Sequence, residues 1–441
     1  MWEQRSVKGS RYALARNQRR GSIMIIEMRE GRVNRGRAGR EVESVTKTGK
    51  TPQSLRVENT KTVLASVLDS PEPPSRAQLA ARTGLTRATV SRLVDYLLEA
   101  NLIEELPPVR PHVGRPANPL VAKGQTMVMI GMEVNLAYLS VVVMDLAGNI
   151  LFTAVDQRDS RQASPQLICE MLGEMLGRWA RPRGTTVLGT GLCVPGLVDR
   201  SRGIVVTAPN LGWADVDMAT RLSAAIGDLG RVIVVNEADA AAYGVLYQRP
   251  GALSATRDFI YVSGEVGIGA AVIAGGAVFE GTHGWAGEFG HMCVERSGPR
   301  CGCGSNGCLE QYVGQDALLR NAGLPREVGV NGLIERFDAG DAGVRDAVDL
   351  AAVSLGSALA NALNLLDLDT VVFGGNFALL YPRLEMILRS ELKYRVLASR
   401  WKDIELLVDE RGNTAAAIGV CLQHFGIFLG DPNSWLDPVL A

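Results

Sequence analysis

The chain has 441 residues, 46% of them apolar and 21% charged, enough for two or three domains around a sizeable core. Its 46 Lys and Arg nearly cancel 47 Asp and Glu, so overall charge marks neither a nucleic-acid nor a membrane-surface protein. No apolar run approaches the ~18 residues of a bilayer span. The early stretch SIMIIEM is short and broken by Glu27, so we expect a cytoplasmic protein with no membrane partner.

The average conceals an asymmetry. Residues 1–120 carry 21 Lys and Arg against 12 Asp and Glu, whereas residues 121–441 carry 25 against 35. A basic front on an acidic body implies a polyanionic partner for the front alone. Residues 1–55 are rich in Arg, Gly and Ser with little apolar periodicity, and are expected to form a disordered basic extension.

Residues 56–122 read as a winged helix-turn-helix. TKTVLASVLD sets Val63, Leu64, Val67 and Leu68 at helical spacing. Ser75 is placed to cap a short helix, Gly84 to end it and Thr86 to cap the next. That next helix has Val90, Leu93, Val94, Leu97 and Leu98 on one face and leaves Arg87, Thr89, Ser91 and Arg92 on or near the other. A polar, basic N-terminal face after a tight turn is how such helices meet the major groove of operator DNA. NLIEELPPV then reads as a strand and RPHVGRPANPLVA as a wing whose Arg115 is expected in the minor groove. A generic helical hairpin is the alternative.

From residue 126 to 441 strands and helices alternate. MVMIGMEV and YLSVVVMDL read as a hairpin, and VRDAVDLAAVSLGSALANALNLL as a long helix feeding the strand DTVVFGG. The pattern implies a two-lobed α/β domain with its cleft at strand ends.

The densest chemistry lies in GHMCVERSGPRCGCGSNGCLE, with four of the seven cysteines. His291, Cys301, Cys303 and Cys308 have the ligand set and glycine-rich spacing of a closed structural zinc site, one Zn2+ per chain. Cys293 alternates with His291 and is expected to be a buried neighbour. Cys169, Cys193 and Cys421 are scattered, as buried thiols of a reducing compartment are.

These motifs, with GLCVPGLVD, APNLGW, NEADAAAYG, GEVGIGAAVIAGG and VVFGGN in that order, resemble the ROK family of repressors, open reading frames and kinases over about residues 57–425. The resemblance implies an actin-like, sugar-kinase-like domain behind the winged helix-turn-helix. It also implies sugar ligands at Asn236, Glu237, Glu288, His291 and Glu310, with Asn210 a weaker candidate. His291 would then hold zinc through one ring nitrogen and sugar through the other.

The family's kinases carry phosphate loops resembling D-x-G-G-T-K and G-T-G-I-G. Here the corresponding places read EVNLAY, Glu133 to Tyr138, and EVGIG, Glu265 to Gly269. Glu237 stands at the family's base position, where kinases have Asp. With both loops degraded, the expectation is a sugar-responsive repressor of carbohydrate genes, not an enzyme, acting as a homodimer or homotetramer. The alternative is a kinase that phosphorylates a hexose or amino sugar with ATP. The winged domain is expected to feel the body through RPANPLVAKGQ.

Overall fold

The structure, a computed structural model, describes residues 52–108, 118–433 and 435, together with three strands among the first 28 residues. Those strands, Glu3–Val7, Ser10–Arg16 and Ile23–Met28, pair as an antiparallel meander. The composition predicted no regular structure there. Short apolar runs such as IMII carry strand propensity that the surrounding arginines and glycines mask in a composition count. The meander and the rest of the chain, Thr51–Ala441, are separate compact units.

In the larger unit the first helix is Pro52–Leu68. Ser75 caps Arg76–Thr83 in a capping box with Gln78, and Gly84 ends that helix at φ +70°. The Thr86 side chain accepts from Thr89 N–H and starts the recognition helix Arg87–Glu99. Strands Ile103–Glu105 and Leu120–Ala122 pair antiparallel as the base of the wing. Arg76 braces the module, bonding Asp95 at 2.7 Å and Glu105 at 2.8 Å.

The body has two lobes, each on a five-stranded sheet. In the first, Arg231–Asn236, Thr186–Val194 and Met127–Val134 run parallel, and Tyr138–Asp145 and Ile150–Gln157 continue antiparallel. In the second, Phe259–Gly264, Thr370–Gly374 and Glu405–Val408 run parallel, with Ile268–Ala274 and Ala277–Val278 on the other side. Strands buried on both faces read as unbroken apolar runs, which is why MVMIGMEV is buried throughout.

Two segments, Ala342–Leu366 and Gly412–Gly430, are long and apolar enough for a bilayer, against the expectation that none would be. Both are mostly buried in the protein. A helix packed on several sides needs apolar residues all round, and the small Ala and Gly among them kept this from standing out by eye.

The winged domain is not tethered by its linker alone, which corrects the expectation from RPANPLVAKGQ. Val63, Leu64, Val67, Leu93 and Leu97 share one hydrophobic core with Met129, Leu188, Phe425, Phe428 and Leu429 of the body. The C-terminal helix Ala415–Gly430, called the joint helix below, supplies the last three. Arg249 Nη2 also donates to the Ser70 carbonyl at 2.8 Å.

His424 lies on that helix, fully buried, with neither ring nitrogen hydrogen-bonded and the Trp435 ring edge-on to it. Burial, aided by the charge of Arg231, pushes its pKa down to about 4. The unfolded chain takes up this proton near 6.5, so stability is full above that pH and falls as pH drops toward 4. The expected loss by pH 4 is about 3 kcal/mol. Glu133, Glu237 and Glu265, raised in the folded state, act in the opposite direction in both proteins, so the check is the difference: in denaturant unfolding from pH 7 to 4.5 the parent should lose stability relative to His424→Leu.

Candidate sugar site, metal cluster and DNA face

A cavity of about 480 Å³ opens between the lobes where strands end, at Pro195, Asn236, Glu265 and Gly375. This is the usual ligand position of open α/β sheets. Asn236, Glu237, Glu288, His291 and Glu310 all line it, and so does Asn210. The structure therefore brings Asn236 and Glu237, Glu288 and His291, and Glu310 together from three separate stretches of chain.

Their environments differ. Asn236 caps the helix Glu237–Leu246, its Oδ1 accepting from Ala238 N–H at 2.8 Å, while its Nδ2 donates to the Gly196 carbonyl at 3.1 Å. Its amide is thus already engaged in shaping the cavity wall. Glu237 opens the same helix, and its Oε2 is sealed from solvent without a hydrogen-bond partner. Burial, with the charge of Glu133 beside it, pushes the Glu237 carboxyl up to about 8. Glu310 begins a short helix two residues after Cys308 and accepts from Ile268 N–H. A side chain at Gly267 would crowd both Glu310 Oε2 at 3.0 Å and Asn210 Nδ2 at 3.2 Å, so glycine there keeps the two polar groups open to the cavity.

Beside Glu288 and Glu310 stand the four candidate metal ligands. One ligand atom each from His291, Cys301, Cys303 and Cys308 lies within 4.8 Å of the others. Cys301 Sγ is 3.8 Å from His291 Nδ1, and Cys303 Sγ is 3.7 Å from Cys308 Sγ. Metal–sulfur arms of ~2.3 Å in a tetrahedron put sulfurs about 3.8 Å apart, so the spacing fits a four-coordinate metal. Burial and the neighbouring thiols push Cys308 up to about 12, while Ser305 N–H pulls Cys303 down. Three thiols and an imidazole around one point are the donor set a thiophilic dication satisfies. His291 turns Nδ1 to the cluster and Nε2 toward Glu288 Oε2, 3.7 Å away. Cys293 bridges to Cys308 through the backbone but is exposed, not buried as expected. An isolated bridge is too short to carry a buried strand face.

The far end of the cavity holds groups that sequence reasoning named only as defects. Tyr138 donates to Glu133 Oε1 at 2.7 Å, both deeply buried. Glu265 lines the same end with Ser263 and Tyr261, which were not anticipated. Burial pushes Glu133 up to about 7 and Glu265 to about 8. Both turns that would face phosphates use their own N–H groups. Asn135 N–H reaches the Tyr138 carbonyl, Ala137 N–H reaches Asn135 Oδ1, and Glu265 N–H reaches the Gly267 carbonyl.

On the recognition helix, Arg87 and Arg92 are exposed, whereas Thr89 and Ser91 are half-buried. The Thr89 hydroxyl pairs with Thr86 Oγ1 at 2.9 Å, within the cap. Arg115 lies outside the described residues.

Comparison with known proteins places the chain in a class. Residues 129–423 match the ROK family and residues 59–111 the MarR family. A xylose repressor of Bacillus spizizenii is 32% identical over 376 residues, 83% of this chain and 95% of its own. A crystallised ROK family transcriptional regulator, described as a homologue of the E. coli MLC protein, superposes with a TM-score of 0.71 at 23% identity, covering 86% of this chain and 98% of its own. A ROK family glucokinase from Streptomyces griseus, solved with glucose and AMPPNP, gives 0.57 at 26% identity, covering 67% and 98%. The chain belongs to the ROK family. With its MarR-like winged module it is one of that family's sugar-responsive transcriptional regulators.

Proposed function

We propose that this chain represses carbohydrate genes from the cytoplasm by binding operator DNA as a dimer or tetramer, and that a sugar in the interlobe cavity lowers its operator affinity. The observation that carries this reading is the joint helix. Ala415 and Ala416 at its start, with Gly412 in the turn before it, line the cavity, while Phe425, Phe428 and Leu429 near its end sit in the winged core. Its 16 residues span about 24 Å as one rigid element. A sugar bridging Asn236 and Glu237 to Glu288, His291 and Glu310 favours one lobe arrangement, and the helix carries that choice to the DNA-binding face. It shifts operator binding by its differential affinity for the two arrangements.

One Zn2+ held by His291, Cys301, Cys303 and Cys308 would fix the imidazole and the loop that presents Glu288 and Glu310. No phosphoryl transfer follows on this reading. At the turns around Asn135 and Glu265, the N–H groups of Asn135, Ala137 and Glu265 are bonded within the turn instead of being offered to a phosphate. The relative named a xylose repressor makes xylose the first sugar to test.

Two variants separate the functions. Arg92→Ala should keep the sugar-induced melting shift but weaken operator binding by roughly 1–3 kcal/mol if it reads a base. Glu288→Ala should bind operator like the parent and ignore sugar. Titrating both against labelled operator at fixed salt, with and without xylose, checks this. Sugar release of Glu288→Ala at the parent's concentration would mean another pocket. Incubation with Mg-ATP and a sugar panel should yield no phosphorylated sugar, and turnover abolished in Glu237→Gln would restore the kinase reading.

A further inference from the structure

We infer that Cys293 and Cys308 form a reversible disulfide when the protein meets hydrogen peroxide, and that this bond withdraws Cys308 from the metal site. The bond itself stands on local geometry, and its effect on the sugar response rests on the sensing reading.

Cys293 is the thiol that the metal site does not use. Of the seven cysteines it alone is both exposed and outside the ligand set, since Cys169, Cys193 and Cys421 are buried. A dissolved oxidant therefore meets it first. The backbone sets its partner. Cys293 and Cys308 face each other in an isolated antiparallel bridge. The hydrogen bonds there are made by their neighbours, Val294 N–H to the Gly307 carbonyl at 2.9 Å and Leu309 N–H to the Met292 carbonyl at 2.8 Å. That pattern defines a non-hydrogen-bonded pair, whose Cα atoms stand about 4.5 Å apart with both side chains on one face. A disulfide spans roughly 4.4–6.8 Å between Cα atoms, so the backbone is already placed for one.

Gly307 lets the two segments come this close. A Cβ there would overlap the Glu295 carbonyl oxygen, and Cys293 Sγ lies 3.5 Å from the same position. The Cys293 sulfur thus leans over the segment that carries Cys308. Joining the two takes side-chain rotation and no backbone shift.

Cys308 cannot serve the bridge and the metal at once. The Cys293 sulfur attacks a peroxide oxygen, giving a sulfenic acid and one water. The Cys308 sulfur then attacks the sulfenic sulfur, the S–S bond forms and a second water leaves. The two sulfurs give up two electrons to the peroxide, and the protons on the waters come from the Cys293 thiol and from solvent. Only His291, Cys301 and Cys303 then remain for a metal, too few to hold zinc at its former strength. The oxidised chain keeps its operator and stops answering sugar. A dithiol reductant of the cytosolic kind reverses the bond.

The test treats the full chain, reduced and supplied with zinc, with hydrogen peroxide. It follows zinc released to a chromogenic chelator, free thiols, and disulfide-linked peptides by mass spectrometry. The Cys293 and Cys308 peptides should appear joined, with about two thiols lost and about one zinc released per chain. Dithiothreitol with fresh zinc should restore the starting state. Cys293→Ser, which removes no metal ligand, should bind zinc like the parent and release it at least about tenfold more slowly. Cys293→Ala, with melting curves for both variants, shows that the slower release is not a folding defect. A bridge joining Cys303 to Cys308, or release from Cys293→Ser at the parent's rate, overturns the inference. So does a Cys293 that ends oxidised without a partner. Should the chain bind no zinc, the peptide map decides in the same way. A sugar that shifts melting of the reduced chain should give no shift after oxidation, and a shift that survives overturns the link to sugar. Failure of every sugar to shift the reduced chain removes the sensing reading and leaves the disulfide standing.

Discussion

Gly419→Ala should destabilise the protein by about 3 kcal/mol and uncouple the cavity from the winged domain. Gly419 lies on the joint helix, and a Cβ there would overlap the Ala240 carbonyl oxygen of the helix Glu237–Leu246. The obstacle is backbone, so no rotamer change can relieve it, and one helix must move off the other. Those two helices both begin at the cavity, one with Glu237 and the other with Ala415 and Ala416. Both also reach the winged core: Phe425 belongs to it, and Tyr243 and, just past the helix end, Tyr247 pack against it. Denaturant unfolding and operator titration check the two halves of this prediction. A loss below about 1 kcal/mol would mean the contact is looser than described.

Cys301→Ser should abolish the metal site and the sugar response together while sparing operator binding. The Cys301 thiol is buried and faces His291 Nδ1, so serine removes a soft ligand at a place water cannot substitute. With the cluster open, the His291 ring and the loop leading to Glu310, two residues beyond Cys308, lose the metal that would fix them. Elemental analysis should find about one zinc per parent chain and almost none in the variant. The xylose-induced melting shift should vanish with it. Zinc-free protein with a full sugar response would separate the cluster from the sensor.

Much of this was legible in the residues, for identifiable reasons. Capping is local chemistry, so Ser75, Gly84 and Thr86 could be placed before any fold was known, and each sits at the helix end expected of it. The metal cluster was legible because ligand spacing and glycines constrain a loop from within. The cavity was harder. Asn236, Glu237, Glu288, His291 and Glu310 came only through family resemblance, since nothing local tells that strands 50 or more residues apart end at one cleft. Glu133 and Glu265 looked like damage to phosphate loops, and only the fold shows both lining one cavity.

The joint helix was the principal omission. GVCLQHFGIFL has no distinguishing motif, and an all-round apolar helix does not say which two cores it connects. The same blindness made RPANPLVAKGQ look like the sole link between domains. Residue-level DNA contacts stayed partly hidden for a different reason: helical spacing puts Thr89 and Ser91 near the polar face, while the cap and the neighbouring helix half-cover them.

The central claim is that a sugar in the interlobe cavity sets the affinity of the winged domain for DNA. It is tested most directly by fluorescence anisotropy of labelled operator titrated with the full chain, at fixed salt and zinc, with and without saturating xylose or another sugar that shifts its melting. The account predicts that the sugar weakens operator binding by ~5–150-fold, the usual span of allosteric coupling. By reciprocity, operator should weaken sugar binding by the same factor. A sugar that binds the cavity and leaves operator affinity unchanged would contradict the account.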